Sequence, residues 1–507
     1  MFGAEGVSRR ALLAGGAAAV GVMALPVKAT TVRLPEVRSP SGHYIGSFVN
    51  DRADQMTVRA HRYVGIRYAR AARFAPPVPV TSTTPMAEQS PGFGPACPQP
   101  GKAYQPQSED CLFLNVWVPA GEKRALPVMV YFHGGAYSSG SVTDPLNDGL
   151  ALAARGDVVV VTVNHRLNAL GYLYLPDRFP DSGNVGQLDL ICALKWVQRN
   201  IASFGGDPGN VTLFGQSGGG AKIATLMAMP AAAGLFHKAI TMSGQQVTAS
   251  GPLNAAKRAE AFLNQLGAGV DPATASLEQL LAALNAGDPV LGGRVYMGPV
   301  LDMRNLPRHP FWPDAPQQSA HIPMLLGNAV AETRAFYPAE GSVLSGLGWD
   351  NLAARIAPEM RIDIAPDWVA AQFRSRYPQA TPLELFHRIV TAARSWRGQV
   401  EEAEARARDG RANTFVYQLD FENAAHTDDI GLAFGTVPDP TPAQSAMSAV
   451  VMDTFVRFAR TGDPGWPAYD LDRRATMVFD VASKVVDNPR AWERDLFARV
   501  PYVQPGT

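Results

Sequence analysis

Cysteine is scarce in this chain: Cys97, Cys111 and Cys192 are the only three in 507 residues. That excludes a scaffold stapled by disulfides, and a chain of this length can bury a large core without one. An excess of charge is missing too. Lys plus Arg and Asp plus Glu each number 45, so no basic field draws the protein to nucleic acid or to an anionic membrane. Lysine is rarer than arginine, and alanine, glycine and proline are common, which reads as coding bias rather than as a binding surface. No apolar run reaches the roughly 20 residues of a spanning helix, so stable membrane insertion is not expected. The chain has no H-E-x-x-H, no phosphate-binding loop and no dinucleotide fingerprint, so neither a metal nor an organic cofactor is expected. Internal repeats, low-complexity tracts and flexible linkers are absent.

What is present begins with a leader. Ser8-Arg9-Arg10-Ala11-Leu12-Leu13 opens an apolar run from Ala11 to Pro26, and Val27-Lys28-Ala29 supplies small residues for cleavage before Thr30. A charged start, a short apolar stretch and a small-residue site make a secretory signal. The paired arginines resemble a bacterial twin-arginine signal, which exports folded proteins. Residues 1–29 are therefore expected to be removed, and residues 30–507 to form one compact unit that is periplasmic or secreted. That unit carries 42 cations against 44 anions. An oxidising compartment permits one disulfide and leaves one thiol over. Cys97 and Cys111 flank a loop rich in Pro, Gly and Gln, whereas Cys192 sits in a helical pattern. The expected bridge is Cys97–Cys111, with Cys192 a buried small hydrophobe.

Strand and helix signals then alternate, which argues for an α/β fold with a mostly parallel sheet and helices on both faces. Four apolar runs end in turn residues: Pro127–Phe132, Val158–Val163, Val211–Phe214 and Ile322–Leu326. Continuous runs of this kind fit strands buried on both faces. Leu190, Leu194, Val197 and Ile201 recur at helical spacing until Gly205-Gly206. A late helix carries Val451, Phe455 and Phe458 and ends at Gly462. Residues 252–287 and 345–410 break the alternation with helical patterns alone, and such insertions are expected to build a cap over a site.

Gly215-Gln216-Ser217-Gly218-Gly219 is the only G-x-S-x-G in the chain. It follows a strand run and precedes a helical one, the context of a nucleophile elbow. Glycines flank the serine because the turn is tight, and the helix start adds partial positive charge. Upstream, Tyr131-Phe132-His133-Gly134-Gly135-Ala136 ends an earlier strand. Small residues there let backbone N–H groups approach a tetrahedral oxyanion, and His133 is expected to order that loop rather than act as a base. A serine nucleophile needs a histidine. On the residues alone His237, His309, His321, His387 and His426 all remain open.

Several long motifs in order resemble the type-B carboxylesterase family, which includes the cholinesterases. They are Ser108-Glu109-Asp110-Cys111-Leu112-Phe113-Leu114-Asn115-Val116-Trp117, Asn164-His165-Arg166-Leu167-Asn168-Ala169-Leu170-Gly171, the run from Phe204 to the elbow, and Thr461-Gly462-Asp463-Pro464-Gly465-Trp466-Pro467. The resemblance implies an α/β-hydrolase fold and a serine esterase acting on small-molecule esters. It implies Glu332, five residues after Gly327, as the acid, and His426 in Ala425-His426-Thr427-Asp428-Asp429-Ile430 as the base. Ser217, Glu332, His426 is the chain order of this fold. The oxyanion donors it implies are Gly135, Ala136 and Gly218, and Tyr137, Phe336 and Tyr337 flank these motifs as pocket candidates.

Departures from the family pattern narrow the substrate. Gln216 stands where glutamate is usual, Gly218 where alanine is common, and Thr333 where a glycine follows the acid. The loop between Cys97 and Cys111 offers Tyr104 but no tryptophan, which a cholinesterase uses to hold a quaternary cation. A preference for neutral esters is expected. Two other readings accompany this one: a binding or adhesion protein on the same fold, or the same machinery directed at an amide, lactone or polyester.

Overall fold

Alternate residues of a buried strand enter opposite cores, and the strand Leu126–Phe132 does so cleanly. Val128, Val130 and Phe132 pack into one apolar cluster while Met129 and Tyr131 pack into another. This two-sided burial is what a continuous apolar run requires. The protein is described by a computed structural model covering residues 34–49, 59–81, 89–90, 92–338, 340–341, 343–360 and 362–502. The leader expected at residues 1–29 lies outside the described residues. Pro35–Thr507 form one compact unit.

The central sheet has eleven strands: β1 (Ser47–Val49), β2 (Ala60–Arg67), β3 (Phe113–Pro119), β4 (Leu126–Phe132), β5 (Val159–Val163), β6 (Gly206–Gln216), β7 (Lys238–Met242), β8 (Met324–Ala329), β9 (Thr414–Leu419), β10 (Ala475–Phe479) and β11 (Lys484–Asp487). Their spatial order is β11-β10-β9-β8-β7-β6-β4-β5-β3-β2-β1. The seven strands from β10 to β5 are parallel, and antiparallel strands close both edges. All four expected strands are present. The one read at Val211–Phe214 starts earlier, because Gly206 pairs with Leu126 before a register shift leads into Val211.

Helix α1 (Val185–Asn200) continues as a 3-10 turn, Ile201–Phe204, which Gly205 ends at φ 84°. Helix α2 (Gly218–Met227) is buried along its whole length behind β6. The late helix, α3 (Pro442–Thr461), starts in a capping box on Thr441 and Gln444 and stops at Gly462. Residues 252–287 hold the helices Pro252–Leu266 and Leu277–Ala283 without a strand. Between residues 345 and 410 lie the helices Leu352–Met360, Pro366–Arg376, Pro382–Val390 and Arg397–Ala407, with no strand among the described residues, and they have a core of their own around Ile356, Phe373, Phe386 and Ile389. Among the described residues no helix is long and apolar enough to cross a membrane.

The family-like motifs are internal braces. Arg166 (4% exposed) makes a two-pronged pair with Asp189 (0%), at 2.7 and 2.8 Å, and also donates to the Ala75 carbonyl. Asn164 Oδ1 accepts the Val142 N–H, and its amide donates to the Pro95 carbonyl. The 97–111 loop is tied to the end of the glycine loop after β4: Gln99 donates to the Gly140 carbonyl and accepts its N–H.

Cys97, Cys111 and Cys192 are buried free thiols, so the expected Cys97–Cys111 bridge is not formed in this structure. Those two side chains do meet, and a hydrogen bond with Cys97, then burial, holds the Cys111 thiol well above its ordinary value. Cys97 Sγ also accepts the Leu167 N–H at 3.2 Å. Cys192 lies on α1 with its thiol pushed up to about 12 by burial, an inert small hydrophobe.

Candidate active site

β6 ends at Gln216 and α2 begins at Gly218, leaving Ser217 alone at the turn with φ 55° and ψ −122°. A non-glycine residue at such angles is strained and persists only where its surroundings fix it. Here Ser217 N–H donates to the Met242 carbonyl on β7 at 2.7 Å. The glycine at 219 is a matter of space. A Cβ there would stand 1.9 Å from the Phe132 carbonyl oxygen at the end of β4.

Glu332 opens a 3-10 turn just after β8 and is wholly buried. His426 precedes the short helix Asp428–Phe434, and its N–H is bonded to the Glu332 carbonyl. Their side chains meet: His426 Nδ1–H donates to Glu332 Oε2 at 2.5 Å. The other carboxylate oxygen accepts Ser243 Oγ–H at 2.5 Å, Ala329 N–H at 2.7 Å and the Asn328 amide at 3.1 Å. Burial works against the charge of Glu332, but His426 and these donors outweigh it and lower its pKa. With Nδ1 protonated, the His426 Nε2 lone pair faces the elbow, where Gln216 Nε2–H meets it at 3.2 Å.

Ser217, His426, Gly135, Ala136 and Gly218 line one cavity of about 650 Å³. Gly135 and Ala136 sit at φ 83° and 53° in the loop after β4. His133, at the start of that loop, stacks on His165 at 4.8 Å and is pushed down to about 3 by burial and by the Lys222 charge. It is a neutral ordering group, as its place in the motif suggests. Tyr137 lines the cavity, is buried and donates its hydroxyl to Gln246 Oε1 at 2.9 Å. Phe336 lines it too, with its ring 4.7 Å from the His426 ring.

Tyr337 does not join them. Its ring belongs to the core of the 345–410 insertion, and its hydroxyl bonds Glu359 and Arg394. It faces a separate cavity together with His387, whose imidazole is pushed down to about 4 by burial and then by Arg334. The hydroxyl of Thr333, beside the acid, is held by the His387 carbonyl and Thr391. Tyr104 turns away and donates to Asp144. Ser243, Arg294, Arg394 and Tyr296 line the same cavity as Ser217 and His426, and nothing singles them out together in the sequence. Only Ser243 carried a signal, because Ser243-Gly244 punctuates an apolar strand as the elbow does. No group of three or more His, Cys, Asp or Glu is arranged to hold a metal among the described residues.

A strand, a strained serine and a helix in that order, set on a mostly parallel sheet, are what an α/β hydrolase is built around, and this chain is one. Residues 33–491 match the carboxylesterase family. The para-nitrobenzyl esterase of Bacillus subtilis is 33% identical over 479 residues, which span 86% of this chain and 94% of that relative. A solved carboxylesterase of Geobacillus stearothermophilus superposes with a TM-score of 0.79 at 33% identity, covering 91% of this chain and 99% of that one. An esterase from Clostridium hathewayi, described as able to hydrolyse aliphatic aromatic polyesters, gives 0.73 at 30% identity over 93% and 99%. The chain belongs to the carboxylesterase family and is a carboxylic ester hydrolase.

Proposed function

We propose that Ser217 is the nucleophile, His426 the general base and Glu332 the residue that orients it, with the N–H groups of Gly135, Ala136 and Gly218 receiving the oxyanion. The observation that carries this reading is the 2.5 Å bond from His426 Nδ1–H to Glu332, made at the cavity that Ser217 lines. Ser217 Oγ attacks the ester carbonyl carbon while its proton passes to His426 Nε2. In that step the Gln216 amide yields the lone pair to the serine hydroxyl. The tetrahedral oxyanion collapses, the C–O bond to the alcohol breaks, and the alcohol leaves with the proton from His426. Water then repeats the sequence on the acyl-enzyme and releases the acid. Ser217→Ala should abolish turnover of p-nitrophenyl butyrate with an unchanged circular dichroism spectrum. A folded Ser217→Ala variant that retained turnover would refute the assignment.

The substrate is a neutral or anionic ester rather than a choline ester. Gln216 leaves no carboxylate beside the serine, and Arg294 and Arg394 stand in the cavity lining. The carboxylate there, Asp288, is already bonded to Arg258 and to the N–H groups of Val290, Leu291 and Tyr296. Comparing kcat/KM for butyrylcholine and 3,3-dimethylbutyl butyrate tests this. A cationic preference above roughly tenfold, about 1.4 kcal/mol of transition-state binding, would overturn the substrate claim and leave the triad standing.

The leader, 1–29, directs the folded chain through a twin-arginine route to the periplasm or beyond, where Cys97 and Cys111 oxidise. The bridge would close a short loop and add about 2–4 kcal/mol. Non-reduced peptide mapping of the exported protein should find Cys97 joined to Cys111 and Cys192 free; a bridged Cys192 would contradict it.

A further inference from the structure

Five residues beyond Ser217, on α2, Lys222 is wholly buried. Burying an ammonium is costly, and the usual compensation is a carboxylate. None is supplied among the described residues. Its Nζ donates to two backbone carbonyls, Ala136 at 2.7 Å and His133 at 3.1 Å, and stands 5.5 Å from the centre of the Tyr137 ring. The titratable groups facing it are Tyr137, whose phenol burial holds well above its ordinary value, and His133 and His165, from the loops after β4 and β5. Both imidazoles are held neutral by burial first and then by the Lys222 charge. Burial in turn pulls the Lys222 amino group down to about 7. An apolar side chain of similar length would fill the same space at no desolvation cost.

What the ammonium holds explains why it is there. His133 and Ala136 are the first and last residues of the His133–Ala136 stretch that carries the Gly135 and Ala136 N–H groups. Both carbonyls that bracket those donors are tied to one charged atom. Charge-assisted hydrogen bonds are about twice as strong as neutral ones, and donors fixed before the reaction give the largest electrostatic gain. We infer that Lys222 is a positioning residue for ester hydrolysis: in its charged form it clamps the His133–Ala136 stretch by its two end carbonyls and places a positive charge beneath the developing oxyanion. This rests on the proposed oxyanion donors. The neutral amine still bonds the carbonyls, but it loses the added strength and the charge, so kcat falls on the alkaline side as Lys222 titrates.

The test compares Lys222→Met, which removes donor and charge, with Lys222→Gln, which keeps a neutral donor. Steady-state kcat and KM for p-nitrophenyl butyrate are measured from pH 5 to 9.5, with circular dichroism as the check on folding. The expected order of kcat at pH 6.5 is wild type, then Gln, then Met, with Met lower by roughly 10- to 100-fold and KM changed less than about threefold. The alkaline fall in kcat should appear in the wild type alone. A folded variant of either kind with wild-type kcat, or with the alkaline limb unchanged, would overturn the inference. So would a wild-type kcat that stays level to pH 9.5, a measurement that needs no variant. Failure of the triad reading is distinguishable, because it would appear as turnover by Ser217→Ala, whatever Lys222 does.

Discussion

Alanine at position 218, the residue customary in this family, should damage this enzyme. A Cβ on Gly218 would lie 2.2 Å from the Ala136 carbonyl oxygen, 2.5 Å from its Cα and 2.6 Å from its carbonyl carbon. All three are backbone atoms, so no side chain can swing aside. Relief to an ordinary contact requires the two backbones to part by about 1 Å, and a 1 Å misplacement of catalytic groups can cost on the order of 100-fold. The Ala136 carbonyl is also held by Lys222 at 2.7 Å, which opposes the movement. Displacing one oxyanion donor costs about 10²–10³ in kcat, roughly 2.7–4 kcal/mol. Gly218→Ala is therefore expected to lower kcat about 100-fold with little change in KM. Overpacking should also cost about 1–3 kcal/mol of stability. Stopped assays with p-nitrophenyl butyrate and a thermal melt separate the two effects. A variant with kcat within threefold of wild type would refute the steric argument.

Three further outcomes follow from the same geometry. Glu332→Gln and His426→Ala should each reduce kcat severely, and the double variant should be little worse than the His426 single, because the pair acts as a unit; additive losses would argue against that. Arg166→Met strands the buried Asp189 carboxylate, so chemical denaturation should show a loss of about 3–5 kcal/mol, and a loss under 1 kcal/mol would contradict the bracing role. Asp429 is pushed up to about 7 by burial and by the Glu332 charge. A carboxyl raised on folding favours the folded state while protonated, and that advantage disappears as pH rises through the folded value. Asp429→Asn should therefore match the wild type in stability near pH 4 and exceed it by about 1–3 kcal/mol at pH 8; equal gains at both pH values would contradict the buried-charge reading.

The parallel sheet was legible because its strands are buried on both faces and so are written as unbroken apolar runs. The early part of β6 was not, since Asp207, Pro208, Gly209 and Asn210 are partly or fully exposed and carry no burial signal. Ser217 was legible from local strain, which demands glycine around it. Glu332 and His426 were legible only by resemblance, because they lie 94 residues apart and His426 stands 210 residues from Gln216. Nothing local marks one histidine among five. Phe336 and Tyr337 are neighbours in sequence, yet they leave the 3-10 turn at Glu332–Ala335 toward different cavities. Lys222 was missed because a lysine in a helical run reads as solvent-facing, and only the complete burial of α2 shows otherwise. The Cys97–Cys111 bridge expected from the sequence is not formed in this structure, because loop spacing says nothing of the oxidant that such a bond requires.

The most direct test of the central claim is covalent capture of the nucleophile. An organophosphonate bearing a p-nitrophenyl leaving group mimics the tetrahedral intermediate and reacts with an activated serine. Intact-mass analysis after complete inhibition, followed by peptide mapping, should find one adduct, on Ser217, and none on the Ser217→Ala variant. An adduct on any other serine, or full inhibition without modification of Ser217, would contradict the account.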